Sequence, residues 1–186
     1  MPYIIEILFD SHSETNIRTI WQTINNAGLP SPLIEEGYRP HLTLIVYDTP
    51  GFNMARCRSR LEELAEHATP FPITINHIGL FSTLEACENV VFLGVVPTQS
   101  LLSFHRAIAT LCQEEIREIR PFYHPDAWTP HITLGFNLTQ DQAQSIFGMS
   151  WEIPLPFTAY AKAVQLVEVT SEGSKEHFLC PLRGAE

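Results

Sequence analysis

Two histidines and two threonines recur in one arrangement. Pro40-His41-Leu42-Thr43-Leu44 returns ninety residues later as Pro130-His131-Ile132-Thr133-Leu134 in a chain of 186 residues. At this composition such a five-residue match arises by chance on the order of 10⁻⁵ times per position, so the repetition needs a physical reason. Imidazole has an ordinary pKa of about 6.5 and can hold or release a proton near neutrality. Two of them can divide the labour, one neutral ring taking a proton while a charged one gives a proton to a leaving oxygen. A threonine hydroxyl can donate to a non-bridging phosphate oxygen, and preorganised donors of that kind stabilise developing charge. The inventory suits the breaking of a phosphodiester and asks for no metal and no other cofactor.

The elements that carry these residues must bring them together. Alternation along a strand sets His41 and Thr43 on one face and Leu42 and Leu44 on the other, and treats His131 and Thr133 in the same way. Pro40 and Pro130 suit strand entrances, where no ladder donor is required, so each histidine stands beside a loop. Gly135 continues the polar face of the second motif and is expected to leave space there.

Periodicity predicts a strand over 3–10, a helix through Ile17, Ile20, Trp21 and Ile24 ending at Gly28-Leu29-Pro30, the loop SPLIEEGYRP and the first motif strand HLTLIVYD. A helix capped by Asn53, with Met54, Cys57, Leu61, Leu64 and Ala65 on its apolar stripe, and a strand over 71–81 complete this half. The order then repeats: strand 89–96, a helix opening near Ser100 with Leu101, Phe104, Ile108 and Leu111 inward, a loop, the strand HITLGFN and a helix opened by the capping box Thr139 to Gln142. Strands over 157–170 and 177–182 flank a Ser-Glu-Gly-Ser turn. Tyr3 to His41 is 38 residues and Val90 to His131 is 41, so the halves, about 1–86 and 87–186, read as copies within a single bilobal domain.

The paired H-x-T motifs, each followed by leucine and set in matching strands of a chain of this length, resemble the 2H phosphoesterase superfamily, which includes bacterial 2'-5' RNA ligase and 2',3'-cyclic nucleotide phosphodiesterases. The resemblance spans essentially the whole chain. It implies an α+β, bilobal, pseudo-two-fold fold with two antiparallel-rich sheets lining a central groove and helices outside. It also implies that His41 and His131 serve as acid and base and that Thr43 and Thr133 hold the phosphate. Hydrolysis of 2',3'-cyclic or 2'-5'-linked nucleotides or RNA ends follows as the expected activity. Joining of tRNA-like RNA by the same chemistry, or a non-catalytic nucleotide-binding module, are the alternatives. The histidine pair is too sparse for a metallohydrolase, since neither motif brings a second histidine or a carboxylate at ligand spacing.

The loops entering the motif strands carry further candidates. Tyr38 and Arg39 precede the first; Arg120, Phe122, Tyr123, His124 and Trp128 precede the second. Tyr38, Arg39, Tyr123, His124 and Trp128 are candidate substrate-binding residues, because bases stack on aromatic faces and guanidinium matches phosphate. Phe9 and Phe81 read as core. His105 reads as a core or rim residue, and His12, His67, His77 and His177 as bystanders. Glu114, Glu115 and Glu118 read as a solvated helix face.

Composition bounds the partners. Eleven Lys and Arg stand against 21 Asp and Glu, a formal net charge of −10, which disfavours long nucleic acid because phosphate neutralisation supplies most of its affinity. The expected partner is a small nucleotide or short RNA end, with no DNA and no membrane, acting on a monomer. With 45% hydrophobic residues the chain can fill a core, yet no apolar run approaches the ~18 residues of a bilayer span. Cys57, Cys87, Cys112 and Cys180 lack metal or disulfide spacing and read as inert thiols. The opening residues carry no basic, cleavable leader pattern, so the expectation is a cytoplasmic protein.

Overall fold

The computed structural model describes residues 2–48, 53–82, 88–113, 119–170 and 173–184, with the backbone alone at 112 and 113. In chain order the elements are β1 (Tyr3–Phe9), α1 (Ser11–Asn26), the single turn α2 (Pro32–Glu35), β2 (His41–Tyr47), α3 (Met54–His67), β3 (Phe71–Phe81), β4 (Asn89–Val95), α4 (Gln99–Gln113), β5 (His131–Leu138), α5 (Gln140–Gly148), β6 (Phe157–Thr170) and β7 (Gly173–Pro181). The helices start where side chains can take up free N–H groups. Asp10 Oδ1 accepts from Ser13 N (2.7 Å), Asn53 Oδ1 accepts from Arg56 N (3.1 Å), and Thr139 and Gln142 close the expected capping box. Ile17, Ile20, Trp21 and Ile24 of α1 and Cys57, Leu61 and Ala65 of α3 turn inward. No helix among the described residues is long and apolar enough to cross a membrane.

Two local expectations change. The loop before β2 contains α2, opened by Pro32 and anchored by buried Leu33. Strand β7 begins at Gly173 rather than 177, paired with Thr170, because exposed Ser174, Lys175 and Glu176 lie in the ladder while looking like a polar turn in the sequence. Cys57 and Cys180 are buried free thiols. Cys87, the side chain of Cys112, and Glu114, Glu115 and Glu118 lie outside the described residues, as does the expected boundary between halves at 86 and 87.

The fold is α+β, and its strands pair antiparallel in the order β2-β1-β6-β3-β4-β5, with β7 also on β6. The two expected groups of strands are present but share one strand. At 14 residues, roughly 45 Å, β6 is long enough to serve both. Its first residues, Phe157–Ala161, pair with β3; from Ala161 onward it pairs with β1, and from Ala163 with β7. The sequence halves therefore exchange strands: β3 of the first joins β4 of the second, and β6 and β7 of the second join β1 of the first.

The motif strands β2 and β5 form the two ends of this order. Each carries a one-residue bulge at the same place. Thr43 pairs with Glu6 and Ile45 with Ile5, so Leu44 is extra; Thr133 pairs with Phe92 and Gly135 with Val91, so Leu134 is extra. A bulge re-aims the side chains beyond it. Past Leu134 it turns Gly135 into the core, 3.2 Å from Leu138 and 3.3 Å from Ile146 if it carried a Cβ, and brings Phe136 to the motif face. The space expected at Gly135 is thus closed, and Phe136 stands on that side.

An end strand leaves backbone groups without a ladder partner. Here the two ends are braced reciprocally by indoles. Trp21, from the first half, donates Nε1–H to the Thr133 carbonyl (3.0 Å), and Trp128, from the second, donates to the Thr43 carbonyl (3.1 Å). His105 stacks flat on Trp128, with ring centroids 3.9 Å apart, and its Nε2 lies 3.0 Å from the Leu44 carbonyl. The core runs continuously beneath both motif strands, through Leu42, Leu44, Ile132 and Leu134.

Candidate active site

Both motif histidines open into one cavity of about 700 Å³, together with Thr133. Each ring is oriented by the backbone two residues upstream. His41 Nδ1–H donates to the Arg39 carbonyl (2.7 Å) and His131 Nδ1–H to the Thr129 carbonyl (2.8 Å). A carbonyl can only accept, so Nδ1 carries the hydrogen in both rings and Nε2 is the nitrogen free for chemistry. The strand entrance and the local bond set this geometry, and the repeat in sequence becomes a repeat in tautomer.

The surroundings of the two rings differ. His41 Nε2 lies 3.6 Å from Glu6 Oε2, and Glu6 Oε1 accepts from Gln165 Nε2 at 2.5 Å. Thr43, Glu6 and Gln165 are direct cross-strand partners on β2, β1 and β6, so they form a buried polar row beside His41. Burial raises the Glu6 carboxyl above its ordinary range, while His41, Gln165 and Arg39 pull it back down. A proton on His41 Nε2 would be drawn toward this carboxylate, and a lone pair there would be repelled by it.

His131 is walled by apolar rings. Phe81 stands edge-on at 5.0 Å between centroids, and Phe92 lies at 5.2 Å. Phe92 reaches this position by lying across Gly79, where a Cβ would come within 2.2 Å of its ring. Burial lowers the His131 pKa below 6.5; the bond to Thr129 opposes this and the charge of His41 adds to it. With hydrogen on Nδ1 and a depressed pKa, His131 presents a neutral lone pair at Nε2.

The other sequence candidates divide. Tyr38 and Tyr123 line the cavity, Tyr38 tilted 6.1 Å from His41. Thr43 is 9% exposed and sits in the polar row, outside the cavity lining. Arg39 is turned away to Glu14, with Nη2 to Oε1 at 2.5 Å. His124 bonds the Ile119 carbonyl (3.1 Å) and Trp128 is buried behind β2, its indole N–H drawn inward because a buried donor needs a partner. Phe81, expected in the core, lines the cavity instead, since it ends β3 where the sheet opens. His105 is the expected core residue. His177 is engaged with Glu168 (2.9 Å), while His67 bonds a backbone carbonyl on its own helix.

Sequence reasoning passed over Glu6, Gln165 and Phe136. Glu6 had a signal: it is the one charge in the otherwise apolar strand YIIEILF, and a charge on a buried strand has a partner. Gln165 and Phe136 had none, because a cross-strand neighbour and a bulge exist only once strands pair. Among the described residues, no three His, Cys, Asp or Glu side chains converge as a metal site requires.

A family model described as the 2'-5' RNA ligase superfamily matches residues 10–171. The chain belongs to this superfamily. A Bacillus licheniformis protein named a phosphoesterase is 26% identical over 110 residues, a match covering 59% of this chain and 59% of that one. The superfamily fold recurs in solved structures. TT0787 of Thermus thermophilus superposes with a TM-score of 0.70 at 17% identity over the full length of both chains. Escherichia coli LigT complexed with 3'-AMP gives 0.56 at 15% identity, over 97% of this chain and 96% of LigT. LigT complexed with ATP gives 0.54 at 17% identity over 97% of each. The superfamily found is the one that the paired H-x-T motifs lead one to expect, that of the 2H phosphoesterases.

Proposed function

We propose that the chain hydrolyses 2',3'-cyclic or 2'-5'-linked nucleotide phosphodiesters through its two histidines, without a metal, with His131 as the base and His41 as the acid. The observation that carries this is the contrast between the surroundings of the two Nε2 atoms in one cavity: apolar rings and burial at His131, and the Glu6 carboxyl 3.6 Å away at His41. Water enters between them. His131 Nε2 takes its proton as the new O–P bond forms, and the ribose oxygen leaves as the old P–O bond breaks. His41, as the proposed acid, gives a proton from Nε2 to that oxygen, leaving a phosphomonoester and a free hydroxyl. Return of the proton from His131 to His41 through solvent restores the starting state. Thr133 donates to a non-bridging oxygen; Thr43 steadies the row that holds Glu6. That LigT, which shares the fold, forms a complex with 3'-AMP supports a nucleotide-type ligand.

The same geometry could run in reverse and join RNA ends, the reaction in the superfamily's name. A net charge of −10, with Arg39 and Arg120 occupied by Glu14 and Asp48, favours hydrolysis of small molecules. The test is turnover of a 2',3'-cyclic nucleotide in EDTA. The expected result is a phosphomonoester, with a bell-shaped pH profile whose acid limb lies below 6.5, where lowered His131 loses its lone pair. Full activity in a His131→Ala or His41→Ala variant would overturn the proposal. Strong, salt-sensitive binding of a tRNA-sized RNA would favour joining.

A further inference from the structure

We propose that this cavity selects a phosphodiester whose reacting phosphate is its only charge and which carries a flat ring beside it, and that it rejects esters bearing a second phosphate. The inference rests on the phosphodiester reading and narrows its substrate class.

The charge limit comes from what the cavity presents. Among the described residues its polar groups are the imidazoles of His41 and His131 and the hydroxyls of Thr133, Thr129, Ser82, Tyr38 and Tyr123, with no lysine, arginine or carboxylate in the lining. Two imidazoles and the hydroxyl donors at Thr133 and its neighbours match a single anionic diester. The arginines that flank the site in sequence point elsewhere. Arg39 holds Glu14, and Arg120 grips Asp48 through two bonds of 2.8 Å. A phosphomonoester adds about −1.5 to −2 charge. Entering here, that charge would exchange water for apolar walls, with the buried Glu6 carboxylate behind His41 and a chain of net charge −10 around it.

The ring comes from the aromatic side chains. Tyr38 and Phe136 meet edge to face at the His41 end, centroids 6.4 Å apart, and Phe81 flanks His131 at the other. At the mouth, Phe122 is 79% exposed and Phe81 is 37% exposed, faces that water covers poorly and a base could cover well. Both histidines thus have an aromatic neighbour where a nucleoside attached to the reacting phosphate would lie.

Three substrates at low ionic strength test this: adenosine 2',3'-cyclic phosphate, the same nucleotide with a 5'-phosphate, and ribose 2',3'-cyclic phosphate without a base. Adding the 5'-phosphate is expected to lower kcat/KM at least ~10-fold, chiefly through KM. Removing the base is expected to lower it ~10-fold or more. Phe122→Arg, a change at an exposed side chain, is expected to bring the two adenosine substrates closer together. Equal kcat/KM for those two, or a ratio unmoved in a folded Phe122→Arg protein, would overturn the charge selection while the phosphodiester reading stands. Equal turnover with and without the base would overturn the ring. No turnover of any of the three would overturn both proposals.

Discussion

The two copies of the motif share strand position, tautomer, bulge and indole brace, and they differ in what lies behind the imidazole. Behind His41 is a polar row of Thr43, Glu6 and Gln165; behind His131 are Phe81 and Phe92. A duplicated strand therefore supplies two equivalent nitrogens, and neighbouring strands make them unequal. β1 and β6 bring carboxylate and amide to one ring, while β3 and β4 bring phenyl groups to the other. The lesson is that a repeat can set geometry while the strands paired with it set protonation, since a pKa answers to burial and nearby charge rather than to backbone position.

The sharpest way to break this comparison is to remove each ring. His131→Ala and His41→Ala are each expected to cut kcat by about 10²–10⁴-fold on a 2',3'-cyclic nucleotide, and the double variant should lose little more than the worse single one. Pre-steady-state rates on a substrate with an activated leaving group would separate the roles. Loss of the acid at His41 should be partly masked by a good leaving group, and loss of the base at His131 should not. Equal masking in both would dissolve the asymmetry.

The threonines come next. Thr133 lines the cavity and Thr43 does not, so Thr133→Val is expected to lower kcat about 10²-fold and Thr43→Val several-fold less. Similar losses from the two, measured under saturating substrate, would mean that Thr43 also reaches the phosphate. Glu6→Gln should then cost roughly tenfold in kcat with KM little changed, because it takes away the carboxyl 3.6 Å from His41 Nε2. Its signature is a displaced basic limb of the pH profile beside an unmoved acid limb, which a simple loss of packing would not produce.

The smallest effect concerns stability. Burial lowers His131 and His105 below 6.5 in the folded chain, whereas the unfolded chain keeps their ordinary value. Between the lowered values and about 6.5 the unfolded state binds more protons, so the unfolding free energy rises with pH through that window and levels off above it. Glu6, raised by burial, acts in the opposite sense: its folded form holds a proton above 4.5, and its contribution declines as pH rises through that range. Urea unfolding at stepped pH should show the rise below 6.5, and His105→Gln should flatten part of it without altering the acid limb of the activity profile.

Much of this was legible in the residues. The seven strands, the four longer helices with caps at Asn53 and Thr139, and the shared face of each His-x-Thr pair follow from period and capping chemistry, which act within a few residues. The exchange of β3 against β6 and β7 between halves was not legible, because two similar strands compete for the same edge and only assembly selects the pairing. Trp128 and Arg39 misled for a related reason. An indole or a guanidinium beside a motif is chemically suited to a ligand, and here each met a partner within the fold first, the Thr43 carbonyl and the Glu14 carboxylate.

By itself the sequence determined that two histidines and two threonines stand on matching strand faces, since local alternation and a preceding proline are enough to do it. Only the tertiary structure decided that Glu6 stands 3.6 Å from His41 Nε2, that Phe81 and Phe136 wall the cavity, and that Gly135 turns away. Those are consequences of cross-strand register and of one-residue bulges at Leu44 and Leu134, and register is a property of pairs of strands that no single strand encodes.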